Sequence, residues 1–133
     1  MQPPTQNRQY NPNSSMDSVQ VAGIEQELSE IPDRIEKASD SSITAKQDYA
    51  EAKANYDNQY ALAYMRKKLE NSEATQGDLD SYAVTESHSF RMEMIKKQSI
   101  HLRAQKDVDK IKDEFDALKE RSYNLRASIN AFR

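Results

Sequence analysis

The side chains with most chemical scope in this sequence are two histidines and one run of bases. A helical carboxylate-bridged metal site needs a Glu three residues before each histidine, so that both ligands share one face. Thr85 precedes His88 by three and Gln98 precedes His101 by three, so neither histidine is placed as a ligand. His101 is instead expected as a structural, hydrogen-bonded residue facing Tyr49. Glu86 and His88 are two apart and fall on different helix faces. No Gly-rich phosphate loop, nucleophile elbow or Ser/His/Asp grouping is present in the sequence. With no cysteine, a thiol nucleophile, a Cys-based zinc site and a disulfide framework are excluded. The expectation is a protein that is not an enzyme and uses no metal or cofactor.

The bases carry a sharper signal. Residues 90–106, FRMEMIKKQSIHLRAQK, hold Arg91, Lys96, Lys97, Arg103 and Lys106 against one acid, Glu93. Lys96, Arg103 and Lys110 are spaced by seven and form a row along a helix. Such a row can follow a phosphate backbone. Single-strand binders also stack bases on aromatic rings, and only Phe90 is at hand. The competing reading pairs this face with the acids Asp48, Glu51 and Asp57 of an opposing helix.

The elements that position these residues are long helices. In 133 residues there are only 2 Gly and 4 Pro, with 36% hydrophobic and 31% charged residues, which gives few turns and a thin core. Residues 1–16 lack an aliphatic face and are expected as a disordered arm, with Tyr10 as a docking residue. Asp17 or Ser18 would cap the first helix. Val21, Ile24, Leu28, Ile31, Ile35 and Ala38 then alternate three and four apart, and Ser42, Ala45, Tyr49, Ala52 and Tyr56 continue the register. Pro32 predicts either a kink or a break with proline at the first position of a new helix. The turn falls near 73–78, where Thr75 and Asp78 are spaced as a capping pair.

A last helix is expected to run unbroken from 79 to 132, with Phe90, Met94 and Ala104 in its seam. Val108, Ile111, Phe115, Leu118, Ser122, Leu125, Ile129 and Phe132 complete that seam at heptad spacing. A turn near residue 75 pairs positions whose numbers sum to roughly 150, as in an antiparallel coil. Val21 then faces Ile129, Ile24 faces Leu125, Ile31 faces Leu118 and Ile35 faces Phe115. The fold class is therefore all-α: a long antiparallel helical hairpin, coiled-coil-like, with arms over 18–72 and 79–132. Residues 16–80 hold 14 acids against 7 bases and residues 91–133 hold 11 bases against 7 acids, a balance that favours this pairing. Tyr60, Tyr64, Ile95, Ile100 and Leu102 do not fit the same seam, which predicts a second buried face and a helical-bundle oligomer.

The Leu28, Ile31, Ile35, Ala38 pattern, the arm TAKQDYAEAKANYDNQYALAY, the turn ATQGDLD and the end FDALKERSYNLRASINAFR resemble the short helical-hairpin proteins of bacteriophage early, replication and recombination regions. The likeness covers residues 18–133 and implies a coiled-coil hairpin. It carries over no functional residue. With no apolar run of ~18 residues and no signal pattern, a soluble cytoplasmic protein is expected, in the host cytoplasm if phage-encoded. The expected function is assembly or adaptor work through a homo-oligomer and an unknown protein partner. The alternative is a nucleic-acid-binding accessory factor for replication or recombination that uses residues 91–110. No membrane contact is expected.

Overall fold

The computed structural model describes residues 12–131, with side chains from 18 onward. The chain is all-α. Helix α1 spans Pro12–Glu70, α2 spans Gln76–Glu86 and α3 spans His88–Ala131. Among the described residues there is no strand. Of the arm expected over 1–16, residues 12–16 are helical, so α1 starts upstream of the Asp17–Ser18 cap. Extending a helix costs far less than nucleating one, and proline is tolerated at the first helical position. Residues 1–11, including Tyr10, lie outside the described residues, as does Phe132.

The contacts divide the chain into two units. The first comprises residues up to Lys37 and Asp109–Arg133. Its core is Ile24, Ile31 and Leu118, with Leu28, Ile35, Ile111, Phe115 and Leu125 packed against them. Ile31 is wholly out of water. Val21 and Ile129 are half-buried, and Ser122 is buried within the same seam. Arg34 pairs with Glu114 at 2.9 Å and Glu25 pairs with Arg126. Moving up one segment moves down the other, so the two segments of this unit contact each other in opposite directions. Pro32 lies inside α1, and no helix boundary falls there.

The second unit is Ala38–Val108. Its buried residues are small: Ala45, Ala52, Ala63, Ala83, Ser87 and Ala104, with Leu79 the one large exception. Tyr49, Tyr56, Met94 and Val108 are half-buried, while Phe90 stays 36% exposed. Residues 71–75 connect α1 to α2. There the Thr75 hydroxyl accepts from the Asp78 N–H at 3.2 Å, and the Asp78 carboxylate accepts from the Thr75 N–H at 3.4 Å. This reciprocal cap satisfies two otherwise orphaned donors.

One expectation is corrected here. The helix after the turn is not continuous to the C-terminus but is divided at Ser87, between α2 and α3. The Ser87 hydroxyl donates to the Ala83 carbonyl at 2.5 Å, and the Thr85 hydroxyl donates to the Ser81 carbonyl at 2.9 Å. Side-chain hydroxyls that compete for helix carbonyls bend or end a helix. Ser87 takes φ −97° and ψ 7°, outside helical values, and is fully buried.

An interior proline deletes one helix hydrogen bond and crowds the preceding turn. Pro32 is exposed, so its ring supplies no core contact that alanine would lose. The Pro32→Ala variant is expected to melt higher and to be more stable by about 3 kcal/mol in denaturant titrations. Lower stability in that variant would show that Pro32 contributes something the helix lacks without it.

Candidate functional site

The candidate phosphate-binding bases are distributed over both units. Arg91, Lys96, Lys97, Arg103 and Lys106 belong to the second, and Lys110 to the first. Arg91, Lys96, Arg103 and Lys106 are exposed, and no carboxylate of the described residues lies within ion-pair distance of any of them. Lys97 differs. It occupies the seam row of Ala104 and Ile111, is half-buried, and pairs with Glu93 at 3.7 Å on its own helix. Asp48, Glu51 and Asp57 form no ion pair either, so no described acid of α1 meets a base of α3 in this unit.

A shallow groove does join the two helices on this side. Asp48, Glu51, Ala52 and Asn55 of α1 line it with Phe90, Glu93 and Lys97 of α3. Its walls carry charges of both signs around one aromatic ring. Among the described residues, no group of three or more His, Asp or Glu is gathered as a metal site. No described helix is long and apolar enough to cross a membrane.

His101 meets Tyr49 as the register predicts. Their rings stack at 6.0 Å between centroids with 15° between planes. The hydrogen bond expected of a structural histidine is missing at Nδ1, which is buried without a partner. Nearby, the Tyr60 hydroxyl donates to Asp80 at 2.8 Å and Lys67 lies 5.2 Å over the Tyr82 ring. Both contacts tie α2 to α1. Donation to Asp80, followed by burial and the carboxylate's charge, raises the Tyr60 pKa above that of an ordinary phenol.

The sequence reading marked Ile95, Ile100 and Leu102 as surplus to the seam, and all three are exposed. It passed over Leu62, Met65 and Leu69, which are also exposed and lie three and four apart. Their spacing was the available signal, a second stripe one position off the Tyr56–Ala63 row. Among the described residues, ten of the twelve large exposed hydrophobic residues fall in the second unit, whose interior is filled mostly by alanine.

Two measurements check these contacts. Replacing a buried group that lacks its partner by an apolar one of similar size is neutral to stabilising, so His101→Leu is expected to keep the stability or raise it by up to about 1 kcal/mol in denaturant titrations. A clear fall would show that the stacking on Tyr49 outweighs the unpaired Nδ1. In an alkaline titration followed by tyrosinate absorbance, Tyr60 should ionise above the ordinary phenol range, and Tyr60→Phe should remove that late component. Because the folded value is the higher one, the Tyr60–Asp80 contribution is complete below about pH 10 and is lost as pH rises through the folded value.

No family model, curated protein or solved structure is similar to this chain.

Proposed function

We propose that this chain is a non-enzymatic assembly or adaptor protein that works through helical protein–protein contacts. The observation that carries this reading is the inversion in the second unit: alanines inside, bulky apolar side chains outside. Contiguous exposed apolar surface mostly marks interaction sites. The reading takes α1, α2 and α3 as a long antiparallel hairpin, coiled-coil-like and kinked at Pro32, that associates into a helical bundle and holds a second protein. Its setting is a bacteriophage early region concerned with replication or recombination, acting in the host cytoplasm.

A second reading rests on the exposed, unpaired Arg91, Lys96, Arg103 and Lys106. They suit a nucleic-acid accessory factor whose affinity comes from phosphate contacts and falls steeply with salt.

Light scattering on the full chain tests the first reading. The expected mass is that of two chains or more at micromolar concentration. A monomer at every concentration, of unchanged helicity, would remove the assembly function. The second reading expects salt-dependent retention of a labelled oligonucleotide, abolished when Lys96, Lys97 and Arg103 are all changed to Glu. No retention by the unaltered chain at low salt would eliminate it.

A further inference from the structure

The groove between α1 and α3 marks one face of the second unit, and two rows of exposed residues extend along it. On α1, Asp48, Glu51 and Asn55 line the groove. The same alternation of three and four continues through Asn58 to Leu62, Met65 and Leu69, so this row is acidic at one end and apolar at the other. On α3, the row through the groove residue Glu93 continues to Lys96, Ile100 and Arg103, with Phe90 beside its start. All of these are exposed.

The contacts Tyr49–His101 and Lys67–Tyr82 show that α1 runs opposite to α2 and α3 in this unit. Positions whose numbers sum to roughly 150 therefore lie at the same height. Asp48 and Glu51 stand level with Arg103 and Lys96, and Met65 stands level with Val84, which is 42% exposed. No ion pair joins these acids to these bases within one chain. An interface with two-fold symmetry needs a single patch that is complementary to itself. This face meets that need: rotation about an axis parallel to the helices sets α1 of one copy on α3 of the other, with level positions still level.

We infer that the occupant of this face is a second copy of the chain. Each Asp48–Glu51 pair meets the partner's Arg103 and Lys96, and each Leu62–Met65–Leu69 stripe covers the partner's Phe90. The exposed apolar side chains of this face are buried in both copies, and its unpaired charges find partners twice over. This specifies the surface of the assembly function proposed above and rests on that reading.

A charge swap tests it. The double variants Lys96→Glu/Arg103→Glu and Asp48→Lys/Glu51→Lys each set like charges against each other, in a homodimer, at both ends of the interface. Each alone is expected to dimerise at least about tenfold more weakly by sedimentation equilibrium. Mixed in equal amounts, they are expected to form a one-to-one heterodimer of near native affinity, because every opposed pair is then of opposite sign. Circular dichroism should match the unaltered chain throughout, since only exposed residues change. Met65→Ser, which alters no charge, should also weaken the dimer. If the unaltered chain associates but neither double variant alters its mass, or if mixing restores nothing, the second copy does not sit on this face while the assembly reading stands. If the unaltered chain is monomeric and binds an oligonucleotide through Lys96 and Arg103, both the dimer and the assembly reading are overturned.

Discussion

Two helices in contact can each bury only one stripe, and that constraint governs everything else in this chain. There is no second layer to compensate a poor seam position. The first unit meets the constraint with large side chains: Ile24, Ile31 and Leu118, backed by Leu28, Ile35 and Phe115. Each such residue withdraws much apolar area from water, at about 25 cal/mol per Å². The second unit meets it with Ala45, Ala52, Ala63, Ala83 and Ala104. Small side chains let helices approach closely but withdraw little area each.

The second unit therefore depends more on specific contacts. The Thr75–Asp78 cap fixes the start of α2, and Tyr60–Asp80 and Lys67–Tyr82 hold α2 against α1. Ser87, fully buried, holds its own hydroxyl on the Ala83 carbonyl where the helix is divided. The bulky apolar residues of this unit, displaced from its interior, are left on the surface. Among the described residues, the first unit carries only Val19 and Tyr123 of the large exposed apolar groups.

Charge follows the same division. In the first unit Arg34–Glu114 and Glu25–Arg126 bridge the two segments. Exposed pairs of this kind add little stability, yet they agree with the apolar seam on direction and register. In the second unit acids and bases lie level on opposing helices without meeting. The groove beside them is lined by charges of both signs around the Phe90 ring.

Helicity, the seam and the register of the first unit were legible because three-four periodicity of Ile, Leu and Phe leaves one way to bury them. The cap at Thr75 was legible for a related reason, since its geometry is set by residues three apart. The Ser87 break was not, because serine ends a helix only when its surroundings hold the hydroxyl on a carbonyl. Nor did the periodicity reveal the exposed stripe of Leu62, Met65 and Leu69. Sequence by itself determined that these helices form and which stripe of each is buried, since local spacing and hydrophobicity suffice for that. Tertiary structure alone decided that Ala63 and Ser87 take the interior of the second unit while Phe90, a seam residue by spacing, stays 36% exposed. That choice depends on how closely two backbones approach, a distance set by both helices together and written in neither.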